Sequence, residues 1–303
     1  MKRSIKRLSV FMSAIALVLC MSMASVFAAA AGVDWGTATI TVTGTGVAPA
    51  TARTAAQARM LAKRAAVVDA YRQLAEEVQG VQVDSESTVA NMMVVSDVTK
   101  TKVSALVKGA QIVSEQYLPD GAYEVTMSIP MFGVGSSLAG AVMERPAAIE
   151  TFPAPVASVP AAAPSVRVDV TVAPGTTPAV PQGSSAASAP AGQAIGNFTG
   201  VIVDCRGLGL NPVMSPVIKN ANGQPIYGYK NLNYDKVIAN GMADYATDMS
   251  MAARAGRNPL IVKAVRLDNH NGNPVLSVAD ANRVLIENGA TGFLDNTNVV
   301  FLR

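Results

Sequence analysis

The chain has 303 residues, of which 50% are hydrophobic and 15% are charged, and its formal net charge is +3. One histidine and two cysteines are too few for a histidine-based metal site or a disulfide framework. The pI of 8.9 would suit a nucleic-acid-binding protein, but no stretch of the chain supplies the basic face that phosphates require. We therefore exclude nucleic acid as a partner.

The first 28 residues are typical of an export signal. A basic start precedes an apolar run from Val10 to Leu19, and small residues follow. We predict cleavage near Ala28, which removes four basic side chains and lowers the formal charge from +3 to −1. An uncleaved anchor is the alternative, because residues 11–31 could cross a bilayer of about 30 Å. The sequence thus predicts an exported protein of the periplasm or cell envelope, soluble once the signal is cleaved.

Residues 33–144 are predicted to form a small domain with the order β-α-β-α-β-β. The predicted elements are strands at 37–43 and 81–89, a long helix at 51–79, a shorter helix that ends at Gly109, and a hairpin of strands at 111–117 and 123–131. A turn at 44–49 is expected to join the first strand to the long helix. The hairpin turn contains Pro119, Asp120 and Gly121, which favour a reversal of the chain.

Residues 145–195 have the composition of a disordered linker. Nine of the 17 prolines lie there among alanine, serine and valine, and Arg167 and Asp169 are its only charges after Glu150. Such a segment buries too little apolar surface to offset its conformational entropy. We predict a flexible tether between two domains.

Residues 196–303 are predicted to form a second, mixed β/α domain. The predicted elements are strands at 199–204, near Val217, at 260–267 and at 298–302, a hairpin through 220–223, helices at 234–253 and 278–288, and an Asn/Gly turn at 268–273. The fold class is therefore α+β, with two small α/β sandwich-type domains joined by the Ala/Pro-rich linker.

The candidate chemical groups do not form a catalytic constellation. His270 is the only histidine and lies among asparagine and glycine residues that favour a turn. Arg206 could lower the pKa of the Cys205 thiol, but no base lies near it in sequence, and a small, half-buried thiol is the other interpretation. We predict no catalytic, cofactor-binding or metal-binding residues and conclude that the protein is not an enzyme.

Two glycine turns, at 44–49 and 207–212, resemble nucleotide-binding loops. Both have proline where the third glycine of a dinucleotide-binding loop stands, and the acid that such a site needs about 20 residues later is present only as Asp69, within the predicted helix. We therefore interpret both as turns.

The long helix carries its charges in an unusual order, with glutamates near its end and basic residues in its first half. These basic residues are Arg53, Arg59, Lys63 and Arg64. This order opposes the helix macrodipole. Two interpretations stay open: an ordinary solvated face, or a contact face for an anionic partner such as an acidic subunit, peptidoglycan carboxylates or lipid phosphates.

Four sequence stretches in the first domain form a recognisable pattern. They are Gly-Thr-Gly at 44–46, AAVVDAYRQLAEEVQG at 65–80, Val-Lys-Gly-Ala at 107–110 and Gly-Ala-Tyr-Glu-Val at 121–125. Residues 35–133 thereby resemble the Lpp-twenty family of bacterial envelope lipoproteins and the FlgT- and FlgP-like flagellar envelope proteins. One departure is that Leu19, not a small residue, precedes Cys20, which is unfavourable for lipid attachment.

The resemblance implies assembly and not catalysis. It suggests a structural protein of the envelope whose partners are other envelope proteins, flagellar motor components or further copies of the chain. The alternative is a periplasmic module that binds a cell-wall glycan or a small ligand.

Overall fold

The computed structural model describes residues 32–156 and 192–303, so the predicted export signal and the middle of the predicted linker lie outside the described residues. The described part contains two domains, each of which combines helices with a β-sheet. The prediction of an α+β protein with two domains is therefore confirmed.

The first domain contains an antiparallel sheet with the strand order β1-β2-β4-β3. Its strands are β1 (Gly32–Asp34), β2 (Thr39–Gly46), β3 (Gln111–Tyr117) and β4 (Tyr123–Pro130). Its helices are α1 (Ala55–Gly80), α2 (Val89–Val95), α3 (Asp97–Lys108) and α4 (Leu138–Val142). The predicted long helix and hairpin are confirmed, whereas β1, α2 and α4 were not predicted.

Helix α1 lies directly on strands β2 and β4. Its buried residues are Ala62, Ala66, Ala70, Leu74 and Val78, which recur at every fourth position and so line one face of the helix. Because most of them are alanines, the helix approaches the sheet closely. Threonine 54 caps the helix by accepting a hydrogen bond from the Gln57 amide at 3.1 Å.

The prediction of a strand at 81–89 is wrong. Residues 81–88, here named the junction loop, contain one isolated bridge between Gln82 and Thr88, and Val89 already begins α2. The Asp84 carboxylate accepts hydrogen bonds from the amides of Glu86 and Ser87, both at 2.8 Å. This local turn reverses the chain where the valine alternation alone favours a strand.

The second domain contains a mixed sheet with the order β7-β6-β10-β9-β5-β11-β8. Its strands are β5 (Gly200–Asp204), β6 (Ile218–Asn220), β7 (Pro225–Tyr227), β8 (Asp244–Ala246), β9 (Pro259–Asp268), β10 (Asn273–Leu276) and β11 (Val299–Leu302). Its helices are α5 (Tyr234–Asn240) and α6 (Val278–Thr291). Strands β9, β5, β11 and β8 run parallel, and the predicted hairpin between β6 and β7 is confirmed.

Two predicted helix ends in this domain are wrong. Helix α5 ends at Asn240 instead of 253, because Gly241 has φ +76 and the chain then enters strand β8. Helix α6 continues through Gly289 and ends at Thr291, where Gly292 caps it in the left-handed conformation with φ +68. Strand β10 was not predicted. It begins at Asn273, the last residue of the predicted Asn/Gly turn, and all four of its residues are buried.

The two domains share one hydrophobic core. Buried side chains of β2, β4 and α1 belong to the same continuous cluster as those of β5, β9 and α6. A separate, smaller cluster lies on the opposite face of β5 and β11 and contains Ile202, Val300 and Leu302. The domains are therefore packed against each other rather than separated by the predicted tether.

Candidate functional site

His270 occupies a tight turn between β9 and β10. Asn269, His270 and Asn271 all have left-handed backbone conformations, with φ values of 48°, 52° and 63°. The Nδ1 atom of His270 lies 3.0 Å from the Ser85 carbonyl oxygen of the first domain. The turn interpretation is thus confirmed, and the imidazole contributes to a contact between domains.

Cys205 lies at the end of β5 with its side chain fully buried. Burial, with the neighbouring Asp204 carboxylate, raises the pKa of this thiol to about 12. The Arg206 guanidinium does not lower it, because Arg206 pairs with Asp204 at 2.7 Å. The thiol is more deeply buried than the sequence suggested, and at neutral pH it is protonated and unreactive.

Gly44 and Gly46 lie within strand β2 and not in a turn. A Cβ atom at either position would overlap main-chain atoms of α1, those of Ala66 and Ala70 at Gly44 and those of Ala62 and Ala66 at Gly46. These glycines therefore allow the close approach of strand and helix. The other glycine turn is confirmed, since Gly207 and Gly209 have φ values of +79° and +76°.

The basic residues in the first half of α1, and Arg53 just before the helix, have different surroundings. Lys63 pairs with Glu115 of strand β3 at 2.6 Å, and the Arg59 guanidinium lies 4.7 Å from the centre of the Tyr117 ring. Arg53 and Arg64 are exposed, and neither has an ion-pair partner among the described residues. Of the four residues of the proposed contact face, Arg59 and Lys63 thus make contacts within the protein, whereas Arg53 and Arg64 are exposed cations.

A polar junction between the domains is formed by the junction loop. Asn273 Nδ2 donates a hydrogen bond to Ser85 Oγ at 3.0 Å, and both side chains are buried. The amides of Met214 and Ser215 donate to the carbonyl oxygens of Gln82 and Val83, at 3.0 Å and 2.7 Å. These hydrogen bonds favour one relative position of the domains, because a displaced loop would leave their buried donors and acceptors without partners.

The junction also has an apolar side. Trp35, between β1 and β2, packs edge-on against Tyr245 of β8 with their ring centroids 5.5 Å apart. Phe132 lies over Gly241, where a Cβ atom would be only 3.0 Å from the ring. The Gly133 amide donates to the Ile238 carbonyl oxygen at 2.7 Å. Aromatic burial of this kind is typical of stable interfaces.

The two described ends of the predicted linker are both attached to helix α6. Val156 exchanges two hydrogen bonds with the Asn282 side chain, at 2.7 Å and 2.8 Å. On the other side, the buried Glu287 carboxylate accepts from the amides of Ile195 and Gly196, at 2.8 Å and 2.9 Å. The prediction assigned these ends to a disordered tether, but they are ordered by hydrogen bonds and by the stacking of Phe152 on Tyr227.

A groove of about 550 Å³ lies where the first of these ends crosses the second domain. Its apolar lining includes Ile149, Phe152 and Leu285, and its polar lining includes Glu150 and Asp295. Within residues 32–156 and 192–303, no group of three or more His, Cys, Asp or Glu side chains is arranged to hold a metal ion. In the same ranges, no helix is both long and apolar enough to span a membrane.

The comparisons with known proteins concern the two domains separately. Residues 38–129 match the LPP20 lipoprotein family. Residues 200–303 match the model for the second domain of Tp0624 from Treponema pallidum. No curated protein has a significant match to the chain. The first match agrees with the Lpp-twenty resemblance of the sequence and supports an envelope association.

The polar junction between the domains could not be predicted from the sequence. Its polar groups come from distant parts of the chain, and Ser85 and Asn273 are 188 positions apart. The only local signal was the Asn/Gly turn around His270, which a solvent-exposed loop would explain equally well.

Proposed function

We propose that the protein is a non-enzymatic structural protein of the cell envelope that assembles with neighbouring proteins as one unit of two docked domains. The similarity of residues 38–129 to a lipoprotein family supports the envelope setting. The buried thiol and the turn histidine take part in the fold, which leaves neither group as a catalyst. The proposal includes export and cleavage near Ala28.

The observation that best supports this proposal is an exposed apolar cluster between helices α2 and α3. Val94 and Val95 are 87% and 84% exposed, and Val98 is 64% exposed. Single exposed valines are ordinary on protein surfaces, but three within five residues form a patch that suits a protein partner. We expect this valine cluster to be covered in the assembled state.

Site-specific photo-crosslinking in intact cells tests the proposal. A photoreactive residue at Val94 or Val98 is expected to give adducts with a small set of envelope structural proteins or with the chain itself, identified by mass spectrometry. The same residue at Gln224, in the exposed β6–β7 hairpin, is the control and is expected to give none. Adducts limited to cell-wall enzymes, or no adducts at either valine, would contradict assembly.

The flagellar basal body is the specific setting that the sequence resemblance implies. We therefore expect motor components among the adducts in a flagellated host. Deletion of the gene is then expected to reduce swimming without changing growth in liquid medium. Normal motility would indicate that the protein belongs to an envelope assembly other than the flagellum.

A binding module for a cell-wall glycan or a small ligand is the second candidate function. It is favoured by the groove of about 550 Å³, in which apolar side chains lie beside the carboxylates of Glu150 and Asp295. Titration calorimetry with soluble muropeptides tests it, with Ile149→Trp as the variant that fills the groove, because Ile149 lines the groove and is exposed. Saturable binding that is lost in this variant would favour this function over assembly.

Contact of α1 with an anionic partner remains a further part of the proposal. The double variant Arg53→Glu/Arg64→Glu tests this contact better than a change at Lys63, because a glutamate at position 63 would face Glu115. Sedimentation with isolated envelopes at low salt is expected to decrease for the double variant relative to the control Arg257→Glu, and this difference is expected to shrink at high salt, which screens the charges. Equal sedimentation of both would contradict the contact.

A further inference from the structure

The second domain binds an extended segment of its own chain. Residues 144–156, here named the strap, follow helix α4 and contain neither helix nor strand. They run along the second domain from Tyr229, just after β7, to Asn282 on α6. The strap thus lies on this surface as a bound peptide would, and its contacts show which chemistry holds it.

The main chain of the strap is held by two asparagine side chains. Asn231 Nδ2 donates hydrogen bonds to the carbonyl oxygens of Glu150 and Thr151, both at 3.3 Å. The Asn282 amide accepts from the Val156 N–H at 2.8 Å and donates to the Val156 carbonyl oxygen at 2.7 Å. A side-chain amide that bonds both backbone groups of one residue matches an extended chain of any sequence. These contacts supply affinity for a peptide main chain.

Two side chains of the strap supply the sequence-dependent contacts. The Phe152 ring stacks on the Tyr227 ring, with the two planes at 2° and the ring centroids 6.4 Å apart. Tyr227 is fully buried, so removal of Phe152 would expose part of its ring. Arg145 pairs with Asp235 at 2.5 Å and lies 4.3 Å from the centre of the Tyr234 ring. The site therefore recognises an arginine and, further along the peptide, a phenylalanine.

Prolines make the strap suited to this site. Pro153 and Pro155 follow Phe152 at alternate positions. Proline fixes φ and has no N–H, so this stretch stays extended and leaves fewer backbone donors that need a partner. The ligand that fits is an extended, proline-containing peptide with an arginine and an aromatic residue.

The strap can leave the second domain without breaking either sheet. Among the described residues, no strand of either sheet pairs with it. The Arg145 and Asp235 side chains are 60% and 69% exposed, and the ion pair of Glu150 with Lys230 is exposed as well. Exposed ion pairs contribute little to stability. Detachment consequently costs a few hydrogen bonds and the Phe152 contact.

The strap of a second copy fits the same site, because its sequence is identical. The chain becomes exposed at Glu144, directly after the buried Met143, which allows the strap to swing outward there. Exchange of an identical element between two copies replaces every contact that each copy gives up, and it is a low-cost route to dimers. No partner of different chemistry is required.

We propose that the surface around Tyr227, Asn231 and Asn282 is a peptide-binding site that takes the strap of a second copy in place of the chain's own strap. Each of two copies then holds the other, and the site links copies of the protein in the assembled state. This inference rests on the contacts of the strap. It does not depend on the envelope setting or on the valine cluster, so it can fail while the proposed function holds.

Binding of an added strap tests the site. The probe is a fluorescent peptide of residues 144–156, and the full chain is Arg145→Asp/Phe152→Ala, whose own strap is weakened while its site is unchanged. Fluorescence anisotropy is expected to show about tenfold or more tighter binding to this variant than to the wild type, in which the intact strap competes at high effective concentration. The further change Asn282→Ala is expected to remove the binding. No binding to the double variant, equal binding to the wild type, or binding unaffected by Asn282→Ala would overturn the proposal.

Charge exchange tests the second copy as the occupant. In full-length Arg145→Asp and in full-length Asp235→Arg, each chain's own strap faces a like charge, and opposite charges meet only when the two chains exchange straps. Both side chains are exposed, so both variants are expected to fold. Native mass spectrometry of a mixture is expected to show heterodimers roughly threefold or more in excess of both homodimers together. Monomers alone, or dimers without this excess, would overturn the exchange.

Discussion

Asp204 and Arg206 form a charged pair at the carboxyl end of β5. Arg206 donates through Nε and Nη2 to the two carboxylate oxygens, at 2.9 Å and 2.7 Å. This hydrogen bonding lowers the pKa of Asp204 from 3.8 to about 2. Such a lowered pKa means that ionised Asp204 stabilises the folded state.

The pair therefore predicts a defined pH dependence of stability. The stabilisation is complete above the unfolded pKa near 4 and is lost as the pH falls toward 2. Because Arg206 is half-exposed and its charge is screened, we expect a loss of only about 1 kcal/mol. Urea unfolding between pH 2 and pH 6 is expected to show a loss about 1 kcal/mol larger in the wild type than in Asp204→Asn, which keeps other aspartates with lowered pKa values such as Asp69 and Asp268. Identical pH profiles for both proteins would contradict the role of the pair.

The Cys205 thiol predicts a simple labelling result. In the chain without residues 1–28, Cys205 is the only cysteine, and it is buried with a pKa raised to about 12. Iodoacetamide at pH 7.5 is expected to leave the native protein unmodified and to label the protein in guanidinium chloride fully, as measured by mass spectrometry. Rapid labelling of the native protein would restore a thiol-based mechanism.

At the scale of elements, the contact of α1 with β2 depends on the absence of side chains at two glycines. Gly44→Ala places a Cβ atom against the main chain of Ala66 and Ala70, so strand and helix must separate. We expect a loss of about 2–3 kcal/mol in the free energy of unfolding. Chemical denaturation measures it.

Gly80→Ala is the matched control for this prediction. Gly80 is the last residue of α1, and no heavy atom lies within 4 Å of an added Cβ there. Alanine favours the helix by roughly 0.5–1 kcal/mol relative to glycine, so the control is expected to be neutral or stabilising. A similar loss of stability in both variants would show that the close approach at Gly44 is not the cause.

The elements that could be predicted from the sequence are those with local causes. The β3–β4 hairpin follows from alternation around Pro119-Asp120-Gly121, and α1 from its alanine-rich composition and its end at Gly80. The junction loop could not be predicted, because its valines pack and bond across domains instead of pairing in a strand. Helix α5 was overextended because the apolar spacing continues beyond Gly241, where the backbone turns.

At the scale of the whole molecule, the sequence predicted two domains but not their docking. Composition identifies residues 145–195 as rich in proline and alanine, yet it does not reveal that both described ends of this segment bind α6. These contacts join backbone amides to the side chains of Asn282 and Glu287. Since every residue except proline has a backbone amide, the sequence does not show which amides make such contacts. For the same reason, the site candidates drawn from single residues missed the junction.

The central claim is that the two domains form one docked unit. A protease site placed at 178–184 allows the chain to be cut after purification, which leaves one fragment with the first domain and residues 145–156, and another with residues 192–303. Size-exclusion chromatography at micromolar concentration is expected to show both fragments in a single peak at the position of the uncut protein. The same cut in a Ser85→Arg variant, in which the new side chain cannot fit against Asn273, is expected to weaken or abolish co-elution. Separate elution of the wild-type fragments would contradict the docked arrangement.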